Sequence, residues 1–257
     1  MDERFLFLED IMDIDELFIK YTNNYNFPEC KLKVNHSFRV KDFALLIADE
    51  LNMDEKERNL VYKSALLHDI GRFEQFKRYH TFVDKDSVYH GDLGVKVLLD
   101  KNLIDKFSND DYEKKVILKT CKYHGTLDKL SDSEEDKIIK IVRDSDKIDI
   151  LKEALKGNIK LDIDNDFISS VAIRTFKEHK LLNLKAKKTR ADRFVVWLCF
   201  TFDFNYKYTF RYLKETKLMD KLILKYINKT SNESTKNILK EMGKEINKYI
   251  NEKVEEI

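Results

Sequence analysis

The pair His68-Asp69 closes an apolar run, in the stretch Ser64-Ala-Leu-Leu-His-Asp-Ile-Gly-Arg72. An imidazole beside a carboxylate, where a packed helix would ordinarily carry neither, is the arrangement of a metal site. A lone pair of this kind at a helix end is more often a cap or a local hydrogen bond. Its meaning therefore depends on what else faces the same way. At helical spacing, His36 opens an apolar stripe through Val40, Phe43, Ala44, Ile47 and Leu51, and His68 completes one with Val61 and Ala65. His90 heads Gly94, Val97 and Leu98, while His124 ends Ile117, Thr120 and Cys121. Each of these side chains is expected to point into the core. In the segment 138–149, Asp146 falls near the stripe of Ile138 and Val142, whereas Asp144 projects away from it. His80 and His179 lack such a stripe and are expected at the surface.

One inward histidine is usually a satisfied core residue. Four of them with the carboxylates of Asp69 and Asp146 are costly to bury unless they share a partner, and a divalent cation accepts imidazoles and carboxylates together. With no thiolate in the set, one or two ions of Mn, Fe, Co, Ni, Mg or Zn are expected, and the residues do not choose among them. Such a site suits hydrolysis, because the ion acidifies water to a pKa of about 7 and polarises a phosphoryl oxygen.

The order His36, His68-Asp69, Asp146 resembles the H…HD…D signature of the HD superfamily of metal-dependent phosphohydrolases. The strings His36-Ser-Phe-Arg-Val40, Ala65-Leu-Leu-His-Asp-Ile-Gly71 and Arg143-Asp-Ser-Asp-Lys-Ile-Asp149 are similar to that family too. The resemblance implies a helical core in which His36, His68, Asp69 and Asp146 bind a metal, and hydrolysis of phosphomonoester or phosphodiester bonds, often in nucleotides. In members with two metals further histidines complete the second site. His90, in Tyr89-His-Gly-Asp-Leu-Gly94, and His124, in Lys122-Tyr-His-Gly125, stand where these would be, as second-metal or phosphate ligands. The sequence departs from the cyclic-di-GMP phosphodiesterase branch: glycine follows His124, and there is no Gly-Tyr-Pro motif.

On this reading Asp69 holds one ion or bridges two, and Arg72 offsets charge on the phosphoryl oxygens, since a guanidinium grips phosphate bidentately. Lys147 is a further substrate-binding candidate. Arg39, Lys77 and Arg78 are weaker ones, solvated surface charge being the commoner fate of such residues. The alternative is a non-catalytic HD-type module that binds a metal or nucleotide as a sensor, against which the intact ligand set weighs.

The elements that must position these groups are helical. One proline and six glycines leave no punctuation for many short strands. Apolar periodicity predicts helices near 13–25, 34–51, 54–70, 88–101, 110–124, 133–156, 165–182, 189–204, 206–214, 217–228 and 232–255. The longest polar interval lies between Gly71 and Tyr89. The fold class is all-α: a single helical domain over 1–257, with an HD core over 30–156 and a helical C-terminal extension over 157–257. Gly157-Asn158 is the best candidate boundary. The last helix carries Ile238, Leu239, Met242, Ile246, Tyr249, Ile250 and Val254 on one stripe and is expected to dock on its own domain.

The overall composition limits the partners. Lys+Arg 48 against Asp+Glu 47 gives a net charge of +1, which favours neither nucleic acid nor an anionic membrane. The basic stretch Lys185–Arg190 leads into an aromatic-rich segment that reads as core rather than a stacking platform for bases. Cys30, Cys121 and Cys199 fit neither a paired disulfide framework nor a thiolate cluster. The N-terminal ten residues carry acids among their apolar residues, unlike a secretion signal, and no apolar run approaches the roughly 20 residues of a spanning helix. A cytoplasmic protein with a small phosphorylated substrate is expected, with a homodimer allowed.

Overall fold

A computed structural model describes residues 14–100, 102–183 and 185–256. The N-terminal decapeptide weighed above as a signal lies outside them. The described residues are helical, with no strand among them. The chain divides into two compact units, one running to Ser145 and the other from Asp146. The division falls inside a helix rather than at Gly157.

In the first unit, helix α1 covers 14–22. Helix α2, Pro28–Glu50, starts with proline in its first turn, where the missing amide proton would have had no helical partner. The sequence expectation treated Pro28 as a break and began this helix at 34, so the observed helix gains a turn and a half. Helix α3, Glu55–Leu67, opens on a capping box: the Asp54 carboxylate accepts from the Glu57 amide, and the Glu57 side chain accepts from the Asp54 amide. After the turn 68–70 comes α4, Gly71–Tyr79, inside the interval expected to be a polar loop, because a glycine that can stop a helix here begins one. Phe73 and Phe76 bury one face of α4, and His80, in left-handed backbone, ends it.

A 3-10 turn at Asp84–Asp86 precedes α5, His90–Asp100, the short α6, Ile104–Phe107, and α7, Asp111–Tyr123. Asp110 caps α7 by accepting from the Glu113 amide at 3.0 Å. Helices α2, α3, α4, α5 and α7 pack on one another and place their inner faces around a common centre. Helix α8, Glu134–Lys156, is continuous across the division between the units.

The second unit continues with α9, Ser170–Lys177, much shorter than the 165–182 expected. It is followed by α10, Arg190–Cys199, a 3-10 segment Phe200–Asp203, α11, Lys207–Thr216, α12, Leu218–Lys229, and α13, Glu233–Glu255. The stripe of α13 does pack on its own unit, with Leu239, Met242, Ile246 and Ile250 buried among α11 and α12. The aromatics of α10 are core: Phe194 and Trp197 are buried, and Phe194 stacks on Tyr226 at 4.1 Å. All three cysteines are free and buried. No helix among the described residues is long and apolar enough to cross a membrane.

Candidate metal centre

Helix ends deliver the site. His68 and Asp69 occupy the turn after α3, His90 is the first residue of α5, and His124 follows the last turn of α7, while His36 lies mid-helix in α2. The small residues explain why these ends meet. A Cβ at Gly71 would overlap the His90 carbonyl and the Gly94 amide nitrogen, and one at Gly91 would overlap the Cys121 carbonyl. The starts of α4 and α5 and the end of α7 therefore touch backbone to backbone, which only glycine allows. The Cys121 thiol donates to the Leu67 carbonyl at 3.2 Å, tying α7 to the residue before His68. Arg143 donates to the carbonyls of Tyr123 and Asp128 and to the Thr126 hydroxyl, and so fixes the chain on both sides of His124.

The inward histidines expected from the sequence are buried: His36, His68, His90 and His124 are 7%, 1%, 4% and 5% exposed. Their rings form a chain, with centroid separations of 5.3 Å from His36 to His68, 4.9 Å from His68 to His124 and 5.0 Å from His124 to His90. Asp69 stands at the middle of it, 3% exposed. Its Oδ2 lies 3.6 Å from His36 Nε2 and 3.8 Å from His68 Nε2. Its Oδ1 lies 3.5 Å from His90 Nε2 and 3.4 Å from His124 Nε2. The two oxygens of one carboxylate thus each serve a separate pair of imidazoles. Asp69 groups with His68 and His124, their ligand-type atoms lying within 4.8 Å of one another, and Asp146, on α8, is half-buried. Asp144, expected to project away, is fully buried.

The other ring nitrogens show what these Nε2 atoms present. His68 Nδ1 lies 2.6 Å from the Ala65 carbonyl, and His124 Nδ1 lies 3.0 Å from the Cys121 carbonyl. His90 Nδ1 lies 2.8 Å from Asp84 Oδ2. A carbonyl or carboxylate only accepts, so each of these Nδ1 atoms carries the proton and each Nε2 presents its lone pair inward. His90 Nε2 and His124 Nε2 are 3.1 Å apart. Burial first, and then the nearby Arg72 guanidinium, lowers the His90 pKa to about 4, so this imidazole is neutral near pH 7. Nitrogen lone pairs directed at each other and at a carboxylate repel, and a cation between them resolves the conflict. The donor set of imidazole nitrogens and carboxylate oxygens, with outer partners holding the tautomers, therefore fits a divalent metal.

Cations already surround Asp69. Burial by itself would raise its pKa, yet the Lys33 ammonium and the Arg72 guanidinium hold it well below the usual carboxylate range. Arg72, expected as the phosphate-gripping residue, has its guanidinium committed. Nε is 3.4 Å from Asp69 Oδ1, and Nη1 donates to Gln75 Oε1 at 2.9 Å, the Phe82 carbonyl at 2.6 Å and Asp84 Oδ1 at 2.9 Å. Lys147, the other expected substrate-binding cation, is buried with its ammonium on Asp203 and near the rings of Phe200 and Phe204. Lys77 and Arg78 are exposed, Arg78 pairing with Glu74 at 2.7 Å. His80 and His179 are exposed, as expected.

Two site residues escaped the sequence. Lys33 puts its Nζ 2.7 Å from Asp69 Oδ2, and only a helix begun at Pro28 would have shown it one turn before His36. Asp84 lies in the polar run 79–87, which carries no periodicity. It accepts from His90, Arg72 and Gln75; burial alone would raise its pKa, and these three partners together bring it down to about 2.

A family model described as HD domain matches residues 34–151. Comparisons with curated proteins and with solved structures found no match. The matched span begins two residues before His36 and ends five after Asp146, so it contains all four buried histidines, Asp69 and Asp146; the chain holds an HD domain over residues 34–151.

Proposed function

We propose that the protein is a metal-dependent phosphohydrolase acting on a small phosphorylated molecule, with nucleotides the first class to test. HD domains are mostly metal-dependent phosphohydrolases. The observation that carries the reading is the division of Asp69, one oxygen toward His36 and His68 and the other toward His90 and His124. In this reading His36, His68 and Asp69 would hold one divalent ion, and His90 and His124 beside the same carboxylate would hold a second. Ions so placed would activate a water and polarise the phosphoryl group.

The chain's own groups do the rest. Backbone carbonyls at Ala65 and Cys121 keep the Nδ1 protons of His68 and His124 facing outward, so the nitrogens that face Asp69 stay free of protons. Asp84 does the same for His90 with a full charge, which raises the basicity of the ligand nitrogen. Arg72 clamps Asp84 and the Phe82 carbonyl, holding the segment 82–90 against α4. The burial of Asp69 keeps bulk water off the reacting centre and strengthens every charge interaction there.

The test is a panel of phosphomonoesters and phosphodiesters, nucleotides included, with Mn, Co, Ni and Mg, for the wild type and His68→Ala/Asp69→Ala. The proposal expects metal-dependent release of phosphate, or cleavage of a diester, by the wild type and none by the double variant. A wild type that binds metal yet hydrolyses no member of the panel sinks the hydrolase reading and favours a sensor module.

A further inference from the structure

Lys33 reaches Asp69 from the side of Oδ2, the oxygen that also faces His36 and His68. It lies three residues before His36 on α2, hence on the same helix face. Its side chain is 23% exposed where that of Asp69 is 4%, so the ammonium comes in from the solvent side of the cluster. Its other contact is weak, with Nζ 5.8 Å from the centre of the Phe82 ring. Lys33 is thus held at its tip by one hydrogen bond to Asp69 and one weak ring contact, on a flexible stem of four methylenes. Arg72 is the opposite, fixed by acceptors on Asp69, Gln75, Phe82 and Asp84.

A divalent ion on Oδ2 and an ammonium on the same oxygen repel each other. With an ion held there, the ammonium would give up this hydrogen bond and turn toward the solvent side, where it is available to the oxygens of an anionic substrate. We propose that Lys33 is a substrate-binding residue that exchanges Asp69 for the phosphoryl oxygens of the substrate when metal is bound. Arg72 is then a positioning residue that builds the loop. The assignment rests on the phosphohydrolase reading for its setting, and it names the phosphoryl dianion as the chemistry recognised. It also makes Lys33 a competitor of the metal: the same ammonium that neutralises Asp69 in the metal-free protein must be displaced before the ion enters.

The experiment uses the full chain loaded with Mn, inorganic phosphate as probe, and the variants Lys33→Met and Lys33→Arg. Calorimetric titration of phosphate is expected to show about tenfold to a hundredfold weaker binding in Lys33→Met, the loss typical of one charge-assisted hydrogen bond. Lys33→Arg should recover part of it. Titration of Mn into the metal-free variants should show unchanged or tighter binding for Lys33→Met, since the competitor is gone. Phosphate affinity equal to wild type in Lys33→Met overturns the assignment, and so does a wild type that binds no phosphate with Mn present. Weaker Mn binding in Lys33→Met together with a lower melting temperature also overturns it, by making the lysine structural. These titrations need no turnover. A wild type that binds phosphate only with Mn and hydrolyses nothing defeats the hydrolase reading while leaving Lys33 to be judged by its own variant.

Discussion

Asp84→Asn tests the outer partner of His90 with the least change of shape. The Asp84 carboxylate takes His90 Nδ1 at 2.8 Å on Oδ2, and Arg72 Nη1 and Gln75 Nε2 at 2.9 Å each on Oδ1. All three partners are donors, and an amide has only one oxygen to offer them. If that oxygen keeps Arg72 and Gln75, the amide nitrogen faces His90 Nδ1, and two donors cannot share a hydrogen bond. The imidazole then prefers the other tautomer, with its proton on Nε2, the atom that must ligate. If the oxygen turns to His90 instead, the nitrogen faces Arg72 and Gln75, and the loop that carries Asp84 loses its anchor. Either arrangement removes a charge-assisted bond from the ligand, and losses of this kind cost about tenfold to a hundredfold in metal affinity, or about 1.4 to 2.8 kcal/mol. Calorimetric titration of Mn or Co into the metal-free protein measures it, as a weakened second binding event beside an intact first one. Asp86→Asn is the control, since the Asp86 side chain, on the same 3-10 turn, is 56% exposed and its nearest cation, Lys85, is 3.9 Å away. Second-site affinity unchanged in a folded Asp84→Asn would refute the argument that this carboxylate sets the tautomer of His90.

Two other perturbations follow from the same geometry. Because burial lowers the His90 pKa to about 4, against an unfolded value of about 6.5, the unfolded chain binds the extra proton first. This group's stabilising effect is therefore complete above about pH 6.5 and is lost as the pH falls toward 4. Urea unfolding of the metal-free protein should show about 2 kcal/mol less stability at about pH 5 than at about pH 7.5 from this residue alone, and His90→Gln should lack that increment; an identical pH slope in the variant would contradict the assignment. Gly71→Ala should destabilise by about 1 to 3 kcal/mol or more by forcing α4 off α5. By contrast, Gly243→Ala meets only Ile223 side-chain atoms, at 3.4 and 3.8 Å, and should gain up to about 1 kcal/mol of helix propensity. Thermal melts of the two should shift in opposite directions.

How much of this was legible beforehand depended on whether the information was local. The inward direction of His36, His68, His90 and His124 follows from 3.6-residue periodicity, which the sequence carries in full, and burial agreed at all four positions. The all-α fold followed from the same periodicity and the scarcity of breakers. Pro28 and Gly71 misled because the same residue types that end a helix also begin one, and the distinction lies in packing. Gly71 is present for its contact with the backbone of α5, a partner well away in sequence. Lys33 was lost with the missing first turns of α2. Asp84 had no periodicity to place it, and its role exists only once the loop folds back on α4 and α5. Arg72 and Lys147 were legible as cations near motif residues, yet which acceptors they meet is tertiary information.

The division of Asp69 between two sets of ligands is tested most directly by counting metal. Elemental analysis of the protein purified after loading with Mn or Co is predicted to give two ions per chain in the wild type. It should give about one in His90→Ala/His124→Ala, where the Oδ1 side alone is lost, and none held tightly in Asp69→Ala. Two ions remaining in Asp69→Ala, or a wild type that holds none, would contradict the account at its centre.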